Sequence, residues 1–327
     1  MATPAILQDG SGATPAETAR TRRSSLWLHI LLLLVTLFST TVVGMRYMAN
    51  FRAGLSPVSS DDDVLPYAWA FAHFRDAASG LPFSLTLLTI LLVHEMGHYL
   101  AARRNDIRAT LPYVLPAPSL SGTAGAIIRL QSQVTSKSAL LAVGALGPIS
   151  GFIVAIAAGI LGLKLSHVGR PLAPGLVDFH LPLLLRILVA WLHPTATRVG
   201  LIWHPVLVAA WMGALITSLN LVPAGQFDGG HVLYAYFPRA HRWFTWATIA
   251  TLFWFGFTLW IGWILWACLL LLPGMRHPKI NDTAPLGWKL IFLGPACLAI
   301  FLLCVTPQPY AHSGLLETLA HIKAHWK

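Results

Sequence analysis

Long apolar runs separated by short polar stretches organise this chain of 327 residues. The first run, residues 26–45, is long enough to cross a hydrocarbon core of ~30 Å as a helix. The polar stretch 49–80 follows, with Asp61, Asp62, Asp63 and Asp76, and reads as an exterior loop. A second run, 81–102, ends at Arg103 and Arg104. Residues 110–137 break the pattern. Pro112, Pro116, Pro118, Gly122 and Gly125 exclude a span, and the β-favouring run 126–130 predicts a hairpin, cytoplasmic-side or re-entrant. A third span, 138–163, carries Gly147 and Gly151 at the spacing that lets helices approach closely. An interfacial helix is expected at 181–192 and a fourth span at 201–222. The apolar stretch 243–272 exceeds one span and predicts two tight helices with a bend near 256–262; the last span falls at 290–305.

Composition agrees with this pattern. The chain is 56% hydrophobic and 10% charged, with a mean hydropathy of +0.65, whereas soluble domains carry about a quarter charged residues. The net charge of +10 sits at the ends of spans: Arg20, Arg22 and Arg23 before the first, Arg103, Arg104 and Arg108 after the second, Arg239, Arg242, Arg276 and Lys279 around later ones. That placement serves orientation and lipid headgroups, and no nucleic-acid partner is expected. Cys268, Cys297 and Cys304 lie in apolar runs without metal-ligand spacing and imply no disulfide framework. Residues 1–25 read as a cytosolic polar tail, because Asp9 and Glu17 argue against a transit peptide. The fold class expected is an all-α polytopic membrane protein with about six to seven transmembrane helices and a membrane-associated β-hairpin between spans 2 and 3.

The second span contains His94-Glu95-Met96-Gly97-His98. Residues i and i+4 of a helix share a face, so two imidazoles there can ligate one metal ion while Glu95 serves as a base beside them. With 14 His and only three Glu (Glu17, Glu95 and Glu317) in the chain, a chance H-E-x-x-H match is rare, roughly one in a hundred or less. Its depth matters as much: His94 lies about mid-membrane, where ionisable groups are expensive without a task.

A tetrahedral catalytic site needs a third protein ligand. The fourth span ends in Asn220-Leu-Val-Pro223-Ala-Gly225-Gln-Phe227-Asp228-Gly229-Gly230-His231. Pro223 and Gly225 break the helix there, and spans 2 and 4 both run inward, so each carries its polar motif in the same half of the bilayer. Asp228 is therefore the expected third ligand, with an N-cap as its plainer role. Asn220 could donate to a substrate carbonyl or oxyanion, and equally to a neighbouring helix. His231 is a further ligand or proton donor in outline, with packing the simpler role.

These motifs resemble the site-2 proteases, peptidase family M50, which are intramembrane zinc metalloproteases. The resemblance rests on His94-Glu95-x-x-His98 and Asn220-x-x-Pro223-x-x-x-x-Asp228-Gly-Gly. It extends to Gly122-Thr-Ala-Gly125-Ala-Ile-Ile-Arg129, to Gly147-Pro-Ile-Ser-Gly151 and to the tail from Arg276-His277-Pro278 through Asp282 to Thr306-Pro307. It implies one Zn²⁺ per chain held by His94, His98 and Asp228, Glu95 as general base, and Asn220 holding substrate or intermediate. It also implies that the 122–129 stretch is a strand that pairs with an unwound substrate. Phe227 stands where the family commonly has Leu, and no PDZ insertion or CBS appendage is expected. The expected division is then a tail at 1–25, a first helix and exterior loop at 26–80, a catalytic membrane core at 81–236, and C-terminal helices and tail at 237–327. The expected function is zinc-dependent hydrolysis of peptide bonds in or near transmembrane segments of membrane proteins. The expected place is a bacterial inner membrane, with the N-terminus cytoplasmic and the site toward the cytoplasm. A zinc-binding or zinc-transport protein, or an inactive family member, is the rival. A transporter explains intramembrane His and Asp but not the Glu between the histidines.

Overall fold

The computed structural model describes residues 15–172, 175–272, 277–288, 290–311 and 313–319. Arg276 and the first 14 residues of the polar tail lie outside the described residues. The first helix, α1, spans Pro15–Arg52, so it starts ahead of the first apolar run and outlasts it. A short helix α2 (Tyr67–Ala72) and a 3₁₀ turn (Phe74–Gly80) lead into α3 (Leu81–Arg104). The strands β1 (Tyr113–Pro116) and β2 (Thr123–Ile127) then form an antiparallel hairpin. Next come α4 (Lys137–Leu165), β3 (His167–Val168), α5 (Leu183–Leu192), α6 (Ala196–Val199) and β4 (Leu201–Ile202). The chain continues through α7 (Pro205–Asn220), α8 (Asp228–Tyr236), α9 (His241–Thr258), α10 (Gly262–Leu271) and α11 (Leu293–Cys304).

Local sequence explains the ends of the central helices. Ser136 caps α4 by accepting the Ala139 N–H at 3.1 Å, which satisfies one of the donors a helix start leaves open. At α7, Pro205 occupies the first turn, where its missing N–H is no loss, and the His204 ring accepts the Val206 N–H at 3.2 Å. The long apolar stretch divides as expected: α9 and α10 are separated by the short break 259–261, inside the bend read from the sequence.

Among the described residues, three helical segments are long and apolar enough to cross a membrane: Leu26–Arg52, Phe74–Arg104 and Lys137–Leu165. Four further apolar helices have 10–17 residues: Leu183–Leu192, Pro205–Asn220, Gly262–Leu271 and Leu293–Cys304. The helices after α4 are thus shorter than their apolar runs suggested, because Pro, Gly and polar residues end them early. The protein is mostly helical, with two small antiparallel sheets, β1–β2 and β3–β4, among the described residues.

The hairpin is fastened to α1. Thr36 Oγ1 donates to the Val114 carbonyl at 3.1 Å, Ser39 Oγ to the Gly122 carbonyl at 2.6 Å, and the Tyr47 hydroxyl to the Leu120 carbonyl at 2.6 Å. These polar side chains of α1 therefore satisfy backbone carbonyls that lipid could not. Gly122, at φ +73°, places its Cα side directly against Thr40, where a side chain has no room.

Helix contacts in the core depend on missing side chains in the same way. A Cβ on Gly162 of α4 would lie 2.5 Å from the Leu207 nitrogen and 2.6 Å from its Cα at the start of α7. Lipid offers helices no hydrophobic drive to associate, so this backbone-to-backbone packing carries the bundle. Gly162→Ala is expected to destabilise the protein by about 1–3 kcal/mol through overpacking. Thermal unfolding in detergent would show it as a lower midpoint; an unchanged midpoint would mean that α4 and α7 do not meet this closely.

Candidate metal centre

His94, Glu95 and His98 lie on one stretch of α3 and are 3–5% exposed. One donor atom from each lies within 4.8 Å of the others. Helix periodicity alone stacks the two imidazoles one turn apart, with ring centroids 4.9 Å apart. What seats them is α4. A Cβ on Gly147 would overlap the His98 ring, and one on Gly151 would lie 2.9 Å from His94 Cβ. Ser150, between those glycines, donates to the Val93 carbonyl at 2.9 Å, one residue before His94. The glycine spacing that the sequence suggested for helix packing thus has a specific use: it makes room for the two histidine rings.

Asp228 arrives from the loop between α7 and α8. It is the first residue of α8, and Phe227 rather than Asp228 occupies the N-cap position. The plain N-cap role is therefore not the one the side chain plays. Gly229 and Gly230 follow because any Cβ there would overlap the carbonyls of Leu221 and Ala224, and Gly225 turns the chain at φ +57°. The result brings Asp228 Oδ2 to 3.2 Å from His94 Nε2 and 3.2 Å from His98 Nε2. The structure thus places together the three side chains expected as ligands. Asn220, the last residue of α7, has its Nδ2 3.3 Å from His94 Nε2.

The hydrogen-bond chemistry of this cluster calls for a cation. His98 Nδ1 lies 2.7 Å from the Val143 carbonyl, an acceptor only, so Nδ1 carries the proton and the neutral ring leaves Nε2 bare. That bare nitrogen then faces a carboxylate oxygen, lone pair against lone pair, unless a proton or a metal ion lies between them. His94 Nε2 meets a similar conflict, because the Asn220 amide offers a donor and Asp228 an acceptor at the same atom. Donors about 2.0–2.2 Å from a tetrahedral zinc ion stand roughly 3.3–3.6 Å apart, close to the two separations found here. The donor set and its spacing therefore fit a zinc ion.

These side chains open on a cavity of about 860 Å³ that also reaches β2, Trp211, Trp260, Trp266, His231 and Tyr310. The Glu95 carboxylate lies against the Ile128 backbone N–H, one residue past β2. One edge of β2 pairs with β1, and β2 has no other strand partner among the described residues. Gly125 in β2 has φ +101°, and a Cβ there would meet open space, so the strand is bare on that side. Sequence reading missed the Val143 carbonyl and the Ile128 amide, because backbone groups leave no mark in residue identity.

A family model described as Peptidase family M50 matches residues 82–261. The Arabidopsis thaliana protein named "Probable zinc metalloprotease EGY2, chloroplastic" is 31% identical over 261 residues, covering 75% of this chain and 45% of the relative. The "Probable zinc metalloprotease EGY1, chloroplastic" of the same plant is 28% identical over 316 residues, covering 89% of this chain and 55% of the relative. A rice protein (Oryza sativa subsp. japonica), "Probable zinc metalloprotease EGY3, chloroplastic", is 25% identical over 256 residues, covering 70% of this chain and 43% of the relative. This chain spans about half the length of these relatives. The family match takes in more than half of the chain and holds the whole cluster from His94 to Asp228: the chain belongs to peptidase family M50, the family of the site-2 proteases.

Proposed function

We propose that the chain is an intramembrane zinc metalloprotease that hydrolyses peptide bonds in or near transmembrane segments of membrane proteins. The observation that carries this reading is the convergence of His94 Nε2, His98 Nε2 and Asp228 Oδ2 at 3.2 Å, with a buried carboxylate beside them and a cavity in front. His94, His98 and Asp228 are assigned as ligands of one zinc ion per chain, and Glu95 as the base. Asp228 suits ligation better than Glu95 because its oxygen lies at the tetrahedral edge distance from both histidines, and Glu95 is left beside them for proton transfer.

Zinc held there supplies Lewis acidity, acidifying water and polarising a peptide carbonyl. Glu95 takes the proton of the attacking water and returns it to the leaving amine. The Asn220 amide, at 3.3 Å from His94 Nε2, is placed to donate to the oxygen on which negative charge develops. The unpaired edge of β2 offers N–H and C=O groups to an extended segment. That offer matters because a transmembrane helix shields its own carbonyls and must unwind before any of them can be attacked.

The site-bearing part of this reading is the membrane core at 81–236, with 237–327 adding C-terminal helices. In this reading α1, α3, α4, α7, α9, α10 and α11 are the crossings, of which the segments in α1, α3 and α4 qualify by length and apolarity alone, and the hairpin is membrane-associated. Two crossings by α9 and α10 put Arg239, ahead of α9, and Arg242, in its first turn, on the same side as Lys279, after α10. The same rule favours an orientation with the N-terminus and the site on the cytoplasmic side; the bacterial inner membrane is kept from the sequence reading alone, and the relatives named above are chloroplastic. The partner is a membrane protein with a transmembrane segment, met in the lipid bilayer.

Glu95→Gln is expected to lower cleavage of a model transmembrane substrate by about 10²–10⁴-fold, the range for a lost general base, while retaining one zinc per chain. Asp228→Ala is expected to lose both cleavage and most of the zinc, read by metal analysis of the purified protein. Full activity in Glu95→Gln would end the protease reading; zinc flux into liposomes without cleavage would favour the transporter. Gly147→Ala, which forces the His98 ring aside, is expected to weaken zinc binding about 10–100-fold, as displaced supports of metal ligands do; competition with a chelator would measure it.

A further inference from the structure

The segment joining α10 to α11 crosses α8, the helix that Asp228 opens, and is fastened at several points. The His277 ring stacks on Tyr234, with centroids 3.9 Å apart and planes 11° from parallel. The Ile280 N–H donates to the Tyr234 hydroxyl at 3.0 Å. The Asp282 carboxylate accepts the Lys137 N–H, in the first turn of α4, at 2.8 Å and the Ala284 N–H at 2.9 Å. A carboxylate suits a helix start, where the peptide dipoles leave partial positive charge. The segment thus ties α8 to α4, the two helices that carry and seat the metal cluster.

Within it, a chain of hydrogen bonds settles which nitrogen of His231 holds a proton. His277 Nδ1 lies 2.8 Å from the Pro278 carbonyl, which can only accept, so that nitrogen is protonated. Burial first, and then the neighbouring His231 ring, pushes the His277 pKa down to about 4, so the ring is neutral near pH 7 and its Nε2 is bare. His277 Nε2 lies 3.0 Å from His231 Nδ1, and that contact is a hydrogen bond only if His231 Nδ1 donates. A neutral His231 then has its lone pair at Nε2, on the side of the ring away from His277. His231 lies one helical turn from Asp228, on a wall of the reaction cavity, with its Cβ packed over Gly144 of α4. The cavity holds a donor in the Asn220 amide, and an extended substrate brings its own N–H groups that need acceptors.

We propose that His231 contacts substrate, its bare Nε2 accepting a backbone N–H beside the scissile bond, and that His277 is the positioning residue that holds His231 in this tautomer. The proposal rests on the protease reading. A ring that only packs against Tyr234 would be replaceable by Phe; one that must accept a proton would not.

The test compares wild type with His277→Phe, which keeps the stack and removes the acceptor, and His277→Gln, which keeps an acceptor. Each is assayed for cleavage of a model transmembrane substrate, for zinc content, and for the His231 tautomer by ¹⁵N imidazole spectra in micelles. The spectra are assigned with His231→Asn. The Phe variant is expected to lose about tenfold in kcat/KM with zinc content kept, as for other orienting partners. The Gln variant is expected to stay within about threefold of wild type. His231 should carry its proton on Nδ1 in wild type and the Gln variant, and shift toward Nε2 in the Phe variant. Wild-type cleavage by the Phe variant, equal losses in Phe and Gln, or an Nε2 proton in the wild type would each overturn the proposal. A zinc-loaded wild type that cleaves nothing would count against the protease reading instead, and the tautomer spectra would still decide the link between His277 and His231.

Discussion

Two imidazole nitrogens and a carboxylate oxygen crowded together inside an apolar bundle are the constraint on which the rest of this structure depends. His98 is held with a bare Nε2 by the Val143 carbonyl, and Asp228 brings a carboxylate oxygen within 3.2 Å of it and of His94. Without a cation the His98 nitrogen and the Asp228 oxygen repel or must capture a proton. With one, their repulsion becomes coordination. Burial raises the stakes for the two imidazoles, which are 3–5% exposed and meet water only across the cavity. The arrangement is stable only if its members are held where they are.

The holding is done largely by small residues. Gly147 and Gly151 let α4 lie directly against the His98 and His94 rings, and Gly229 and Gly230 let α8 start against the loop that follows α7. In water the hydrophobic effect would press such helices together. In lipid, shape and hydrogen bonds must do it. Removing side chains at the contacts lets backbones approach and fixes the rings between them, which is also why substitution at these positions would act on the metal cluster and not just on packing.

The hairpin adds a second dependency. Its carbonyls are satisfied by Thr36, Ser39 and Tyr47 of α1, so the first helix positions a strand that in turn lies beside Glu95. A non-helical backbone at membrane depth is tolerated where protein or a cavity covers it. Here protein covers one face and the cavity the other. The first helix, which holds none of the five residues read as the site, thereby shapes the wall that a substrate would meet.

Much of this was legible in the sequence. The long apolar runs mark α1, α3 and α4, because twenty apolar residues have few other ways to be buried. The spacing of His94 and His98 sets their common face, since helix periodicity is local. The proline and glycine pattern marks the hairpin and the break before Asp228. Where α7 to α11 end was less legible, because helix termini depend on caps and contacts as well as on apolar content. Polar residues of α1, Thr36, Ser39 and Tyr47, were visible but had no evident partner, since their partners are carbonyls about eighty residues away. Only the tertiary structure decided that Gly147 and Gly151 seat imidazoles, that Val143 sets the His98 tautomer, and that His277 reaches His231. Each of these is a contact between distant segments, made by backbone atoms, by absent side chains or by ring nitrogens whose protons depend on their neighbours. A sequence specifies which groups are present; only the fold determines which of them face one another.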